Sequence, residues 1–189
     1  MSGEGAQARL TGWDAFKMDL YFWLQALVLA LVTLILLFTF VGRIIGVDGE
    51  SMLPTLEHKE TLLLRSIGYA PKQGDVVVLT KQFHQVHGPI VKRVIATGGQ
   101  TVDIDYDRGT VTVDGKVLEE PYIKEPMRVP LYEDFTRVTV PEGHIFVMGD
   151  NRNNSDDSRD VHLGTVDERY VLGRVVMVLL PLQRFQAMN

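Results

Sequence analysis

A long apolar run near the start of this 189-residue chain restricts the possible folds more than any other feature. From Phe22 to Val41 the side chains are apolar except for one glutamine and two threonines. A helix of about 20 residues, rising about 1.5 Å per residue, matches the roughly 30 Å hydrocarbon core of a bilayer. The run therefore predicts a transmembrane helix over residues 21–42.

A cleavable secretory signal peptide is the main alternative to a permanent anchor. Such a peptide has a shorter apolar core followed by a small-x-small cleavage pattern, and neither property is found here. Residues 1–20 are polar and contain glycine, so we expect a loose tail before the anchor. Charge does not decide the orientation, because Arg9 and Lys17 precede the run and Arg43 and Lys59 follow it.

After the apolar run, short β-branched stretches alternate with turn residues, a pattern that predicts strands. The segment Thr110–Leu118 alternates across Asp114-Gly115, a dipeptide that favours a two-residue hairpin turn. We predict a mostly β fold, in which the single N-terminal helix precedes an antiparallel sheet domain over residues 43–189. Residues from about 105 to 142 are expected to form a smaller β excursion. The other predicted strands are Thr61–Leu64, Asp75–Thr80, Ile90–Ile95, Thr101–Ile104, Arg137–Val140, Ile145–Met148 and Tyr170–Leu180.

Composition argues against several classes of function. A formal charge of −5 without a basic cluster argues against a nucleic-acid partner. No cysteine is present, so neither a disulfide framework nor a thiolate metal site can form. The five histidines show no metal-ligand spacing, and we expect neither a metal nor a cofactor; His84 and His87 are interpreted as a solvated surface pair. A Ser-His-Asp triad stays possible, because triads are assembled in space.

Ser51 follows the apolar run closely and is a candidate nucleophile. Gly49 permits a tight turn before it, and Pro54 restricts the backbone after it. A lone serine in a loop is more often a capping hydroxyl, and a nucleophilic serine needs a base within hydrogen-bond reach. The assignment therefore depends on finding a base elsewhere in the chain.

Lys92 is the candidate base, because it lies within the apolar strand Ile90–Ile95. A strand lysine usually directs its ammonium group off the open face of a sheet. If Lys92 points inward instead, desolvation lowers its pKa from about 10.4 toward the 7–8 that a general base needs. The polar segment Met148–Arg159 is either a surface loop or a set of hydrogen-bonding groups around such an amine.

Three stretches together resemble the bacterial type I signal peptidases, in the Gram-positive form with one membrane anchor. The resemblance extends from about Phe22 to the end of the sequence, and Gly74-Asp75-Val76-Val77 also matches a family segment. The three stretches are Gly49-x-Ser51-Met52-x-Pro54-Thr55, Lys92-Arg93-Val94-Ile95, and Gly149-Asp150-Asn151-Arg152 followed by Ser155-x-Asp157-Ser158-Arg159.

The resemblance implies a Ser-Lys dyad, with Ser51 as the nucleophile and Lys92 as the general base. It also implies that Ser155 holds the Lys92 amine, and that Asp157 and Arg159 form a supporting ion pair. The implied activity is removal of signal peptides from exported preproteins after a small-x-small motif, with no cofactor.

One position departs from part of the family. Some members have a serine two residues before the nucleophile that adds a hydroxyl to the oxyanion hole, and Gly49 occupies that position here. We therefore expect the hole to consist of backbone N–H groups, with Gly49 allowing the substrate backbone to approach closely. The resemblance also implies that residues 1–20 form a cytoplasmic tail and that residues 43–189 lie outside the cytoplasm, anchored in the lipid of the cell membrane.

Two other functions are weighed against this one. A self-cleaving repressor-type peptidase has the same dyad, but the anchor is unexpected in it. A catalytically inactive, membrane-tethered β-domain used for binding does not require both Ser51 and Lys92.

Overall fold

The computed structural model describes residues 12–40, 42–81, 88–128, 130 and 136–188. The chain divides into two units, Met1–Val41 and Gly42–Asn189. His84 and His87 lie outside the described residues, so their interpretation as a solvated pair stays a prediction.

Helix α1 forms the first unit and extends from Gly12 to Phe40. Its Gly12–Leu36 portion is long and apolar enough to cross a membrane. The prediction of a loose tail is wrong for residues 12–20, which are helical. The apolar run is therefore only part of the helix. The helical residues before it lack proline and include good helix formers. Asp14 in the first turn stabilises the helix, because its negative charge lies at the positive end of the helix dipole.

The second unit consists mainly of antiparallel strands, as predicted, with short turns between them. The main sheet has the strand order β1-β2-β11-β3-β4-β9-β10, with β12 added against β11, and the smaller sheet has the order β7-β6-β5-β8. In chain order the strands are β1 (Gly42–Gly46), β2 (Thr61–Arg65), β3 (Val76–Leu79), β4 (Ile90–Thr97), β5 (Thr101–Asp105), β6 (Thr110–Val113), β7 (Lys116–Val117), β8 (Arg137–Thr139), β9 (His144–Met148), β10 (Val166–Asp167), β11 (Val171–Leu180) and β12 (Gln186–Ala187).

The smaller sheet confirms the predicted β excursion and its hairpin. Asp114 and Gly115 have φ values of 51° and 77°, as a type I′ turn between β6 and β7 requires. The sheet begins at Thr101 rather than near residue 105, because β5 pairs with β6 and β8. Its apolar side chains pack against Phe146 and Met148 of β9.

Strand β1 was not predicted, because its residues fall at the end of the expected anchor and just beyond it. Ile44 and Ile45 between two glycines are too short a pattern to indicate a strand. The strand depends on pairing with β2, where Gly46 lies opposite Thr61. The residues after β1 carry Ser51, so this pairing determines where the candidate nucleophile lies.

Strand β4 lies inside the main sheet, between β3 and β9, and both of its faces are covered. Neighbouring residues of a strand point to opposite faces. Because both faces of β4 are covered, the consecutive residues Lys92 and Arg93 are both buried. Burial of Lys92 therefore results from the position of its strand in the sheet.

Candidate active site

Lys92 in β4 reaches the serine that follows β1. Its Nζ atom donates a hydrogen bond to Ser51 Oγ at 2.7 Å. Lys92 is 4% exposed, whereas Ser51 is half-buried, so the amine is withdrawn from water and the hydroxyl is still accessible. The structure thus brings together the two residues that the separate motifs indicated.

Burial lowers the pKa of Lys92 from 10.5 to about 8. The negative charges of Asp157, Asp156 and Asp150 act in the opposite direction, and the positive charge of Arg159 adds to the lowering. Desolvation is the largest of these influences, so it prevails. A lysine with this pKa has a neutral fraction near neutral pH, as a general base requires.

A tight turn carries Ser51, and its backbone is held at both ends. Gly49 has a φ of 99°, which favours glycine, and its N–H donates to His58 Nδ1 at 3.2 Å. The Leu56 N–H donates to the carbonyl of Met52 at 2.9 Å, and both of these side chains are buried in the core. The turn is therefore anchored by apolar packing on the side after the nucleophile.

The segment that follows β9 contacts the nucleophile backbone directly. The backbone N–H of Asn151 donates to the Ser51 carbonyl at 2.9 Å, and its side-chain amide donates to the Glu50 carbonyl at 3.1 Å. A Cβ atom on Gly149 would lie 2.5 Å from the Ser51 carbonyl oxygen and 2.2 Å from Ser155 Oγ, so glycine alone fits there. Sequence reasoning gave no role to Gly149 or Asn151, although both belong to the third motif.

The expected ion pair between Asp157 and Arg159 is present and fully buried. Arg159 Nε and Nη2 each lie 2.8 Å from a carboxylate oxygen of Asp157, and the Gly149 N–H donates to Oδ2 at 3.0 Å. Burial alone would raise the pKa of Asp157, but the charge and hydrogen bonds of Arg159 and the Gly149 N–H outweigh it and lower the pKa. Asp157 is consequently a charged acceptor for the Gly149 N–H and for the Arg159 guanidinium.

Ser155 is buried, at 5% exposure, and no hydrogen bond joins it to the lysine. Its hydroxyl makes no well-formed hydrogen bond to any described residue, and Lys92 Nζ donates to Ser51 instead. The hydroxyl lies beside Asp157 and contributes to the lowered pKa of that carboxylate. That Ser155 holds the Lys92 amine thus stays a prediction.

Sequence reasoning missed a second buried ion pair, next to the first. Arg93 Nε and Nη2 donate to the two oxygens of Asp150 at 2.8 and 2.6 Å. The Thr55 hydroxyl donates to the same carboxylate, and the Tyr122 ring centroid lies 3.9 Å from the Arg93 guanidinium carbon. The strand of Lys92, the nucleophile turn and the segment after β9 are therefore joined through one charged pair.

A third pair, between Arg152 and Glu120, connects the loop after β7 to this network. Its two hydrogen bonds measure 2.9 and 2.5 Å, and Arg152 Nε also donates to the Gly149 carbonyl at 3.0 Å. In the described part of the chain, no cluster of three or more acidic or histidine side chains could hold a metal ion. Within those same residues, no histidine hydrogen-bonds to Ser51, so the geometry favours the lysine over a triad.

The family model described as signal peptidase, peptidase S26 matches residues 20–180. A probable signal peptidase I-1 from Synechocystis sp. is 38% identical over 183 residues, which cover 92% of this chain and 87% of that protein. Signal peptidase I of Bacillus licheniformis is 38% identical, with 87% of this chain and 91% of that protein covered. The chain belongs to the peptidase S26 family of signal peptidases.

One further relative and one solved structure are also similar to this chain. Signal peptidase I T of Bacillus subtilis is 37% identical, with 84% of each chain covered. A crystal structure of a signal peptidase I from Enterococcus faecalis V583 is 30% identical and covers 59% of this chain and 97% of its own, with a TM-score of 0.43. The predicted family and enzyme class are confirmed: the chain is a serine endopeptidase of the signal peptidase I type. Family membership and the apolar helix together indicate a membrane-anchored protein.

Replacing Lys92 by methionine should stabilise the folded enzyme at pH 7. The folded pKa of about 8 lies below the ordinary 10.5, so the cost of the buried ammonium is fully present below about pH 8. This cost falls as the pH rises and vanishes above about 10.5. The difference corresponds to roughly 3 kcal/mol in the free energy of unfolding.

Urea unfolding of wild-type and Lys92→Met protein at pH 7 and at pH 10.5 measures this gain. Lys116→Met, at an exposed position of β7, is the control and should change stability little. Equal stability of wild-type and Lys92→Met protein at pH 7 would contradict the lowered pKa.

Proposed function

We propose that Ser51 and Lys92 are the catalytic dyad with which this enzyme cleaves signal peptides after a small-x-small motif. The observation that carries the proposal is the 2.7 Å hydrogen bond between Ser51 Oγ and a buried amine whose pKa is lowered to about 8. Burial lowers the pKa enough to give the amine a neutral fraction near neutral pH, and this fraction can act as the base for Ser51 without a histidine.

The reaction follows from this geometry in two steps. Ser51 Oγ attacks the scissile carbonyl carbon while neutral Lys92 takes the hydroxyl proton and then gives it to the leaving amine. The resulting acyl-enzyme is hydrolysed by water, which Lys92 deprotonates; the proton returns to Ser51 Oγ as the ester bond breaks. The Ser51 N–H donates to no acceptor within the described residues, so it is available to the oxyanion, and Gly49 adds no side chain there.

The edge of β4 suits an extended substrate. On one side Ile90–Lys92 pair with β3, whereas pairing with β9 on the other side begins at Arg93. Within the described residues, this leaves an open strand edge that ends at the catalytic base. A peptide added there as a strand would direct alternate side chains to the same face, which agrees with selection of small residues at −1 and −3.

In the cell, residues 1–20 would lie in the cytoplasm, residues 21–42 in the membrane and residues 43–189 outside. The signal peptide of an exported preprotein and the membrane lipid are then the partners of the enzyme. A self-cleaving repressor-type peptidase and an inactive tethered β-domain are both disfavoured by membership in the signal peptidase family.

Ser51→Ala and Lys92→Arg should each abolish cleavage of a synthetic preprotein while the β domain stays folded. Alanine removes the nucleophile, and a guanidinium stays protonated and cannot act as a base. Product formation measured by gel, with circular dichroism as the check on folding, tests both changes. Lys116→Arg is the matched control, and activity in folded Lys92→Arg protein would disprove the dyad.

The pH dependence should identify the base. Because Lys92 acts in its neutral form and its pKa is about 8, kcat/KM should rise with pH and level off above about 8. Replacing any of the five histidines by glutamine should leave the position of this acidic limb unchanged. A limb near pH 6.5 that disappears in one histidine variant would indicate a triad instead.

The anchor should matter for substrates in a membrane more than for short peptides. The nine residues 42–50, fully extended, reach at most roughly 30 Å, and this chain length limits how far Ser51 can lie from the end of the apolar run. A truncated protein beginning at Gly42 should keep its kcat/KM on a soluble peptide and lose much of it on a vesicle-embedded preprotein, because the anchor raises local concentration. Equal loss on both substrates would mean that the anchor acts through folding, and no loss on either would exclude a role in presentation.

A further inference from the structure

The segment after β11 folds back toward the turn that carries Ser51. Leu182–Arg184 form a short 3₁₀ turn, β12 pairs with β11, and the Met188 N–H donates to the Val176 carbonyl at 2.9 Å. Met188 packs against the core cluster that contains Met52 of the nucleophile turn. Residues 181–188, here named the return segment, are thus fixed to the sheet on one side and face the nucleophile turn on the other.

Arg184 is the residue of the return segment that crosses to the nucleophile turn. Its Nη1 atom lies 2.6 Å from Glu57 Oε1, its Nη2 donates to the Thr55 carbonyl at 3.3 Å, and its Nε donates to Glu60 Oε1. The three partners of Arg184 are distributed along the chain between Ser51 and β2.

Glu60 makes Arg184 difficult to replace. The Glu60 side chain is 1% exposed, and its second oxygen accepts the Glu57 N–H at 2.9 Å. A buried carboxylate needs a cation and hydrogen bonds, because desolvation without them is costly. Arg184 supplies both, and the Glu60 carbonyl in turn accepts the Val47 N–H at 2.7 Å, just before the nucleophile turn.

A cavity of about 510 Å³ lies between the return segment and the nucleophile turn beside this contact. Pro54 and Thr55 form one wall, and Gln183, Phe185 and Met188 form the other. The two walls are separated there, and the contacts of Arg184 cross the gap. The guanidinium therefore bridges the gap.

Thr55 shows why this bridge matters for catalysis. Its hydroxyl donates to Asp150, which binds the neighbour of Lys92, and its carbonyl accepts from Arg184. The residues that follow Ser51 are consequently held from two directions, by the network around the base and by the return segment.

We propose that Arg184 is a positioning residue that fixes the turn after Ser51, so that Oγ stays within hydrogen-bond distance of Lys92. This inference rests on the proposed dyad. Arg184 itself acts through Thr55, Glu57 and Glu60, with no contact to Ser51 or Lys92. A displacement of about 1 Å at a reacting group can lower a rate a hundredfold, so loss of the bridge should lower kcat.

The test uses the full-length protein in detergent micelles with a soluble peptide substrate, below the melting temperature of every variant. Arg184→Gln removes the charge, Arg184→Lys restores it with fewer donors, and Arg169→Gln removes an exposed arginine paired with Asp167 as the matched control. The double change Glu60→Gln with Arg184→Gln avoids leaving a buried carboxylate unpaired, so it keeps the test valid if the single variant does not fold.

We expect kcat of Arg184→Gln and of the double variant to fall about tenfold or more, with KM changed less than about twofold. The acidic limb of kcat/KM should stay in place, because the main influences on the pKa of Lys92 are burial and the charges of Asp157, Asp156, Arg159 and Asp150, all outside the return segment. Arg184→Lys should recover part of kcat, and Arg169→Gln should match wild type.

Wild-type kcat in folded Arg184→Gln protein would overturn the inference. Wild-type kcat in the double variant would overturn it as well, since the effect would then come from the unpaired Glu60 charge. Ser51→Ala distinguishes failure of the dyad from failure of the role of Arg184. An active Ser51→Ala enzyme refutes the dyad. If Ser51→Ala is inactive and Arg184→Gln has the kcat of the wild type, only the role of Arg184 is refuted.

Discussion

The withdrawal of the Lys92 amine from water is the constraint on which the rest of the site depends. The carboxylates of Asp157, Asp156 and Asp150 lie near enough to Lys92 to raise its pKa. Without an opposing influence they would keep the amine protonated. Two of them are already paired with arginines, Asp157 with Arg159 and Asp150 with Arg93. Within the described residues no carboxylate forms a salt bridge with Lys92 itself, so burial decides its charge.

The ion pairs between these carboxylates and arginines also determine how the segment after β9 lies against the rest of the site. A buried ion pair adds little net stability, but removing one partner leaves an uncompensated charge and is strongly destabilising. The pairs Arg93–Asp150, Arg152–Glu120 and Arg159–Asp157 therefore restrict the segment after β9 to one arrangement against β4 and the loop after β7. That arrangement places Gly149 and Asn151 against the backbone of Ser51. The pairing of the charges around Lys92 and the position of Ser51 thus have the same origin.

Local sequence patterns predicted most strands and the hairpin at Asp114-Gly115. β-branched runs and turn dipeptides determine the backbone conformation of their own residues, so they can be recognised without knowing the fold. Strand β1 was missed, since its formation depends on β2 rather than on its own residues. The family motifs indicated Ser51, Lys92 and the Asp157–Arg159 pair. Contacts made by residues outside these motifs could not be read from sequence: Glu120 lies 32 residues from Arg152, and Arg184 lies 124 residues from Glu60. Such pairs become visible only when the sheet brings distant segments together.

The fixed backbone around Ser51 leaves the hydroxyl free to react. Asn151 holds the Ser51 carbonyl, and Thr55 is held at both its hydroxyl and its carbonyl, so the turn is positioned through neighbouring groups. In the described part of the chain the Ser51 hydroxyl itself has one hydrogen bond, to the Lys92 amine. In the proposed reaction, attack on a carbonyl moves one oxygen and one proton while the surrounding dipoles and charges stay in place. Catalytic groups that need little reorganisation at the moment of reaction are those that stabilise a transition state best. The rigid network therefore suits the proposed mechanism, in which Ser51 Oγ and one proton move while their surroundings stay fixed.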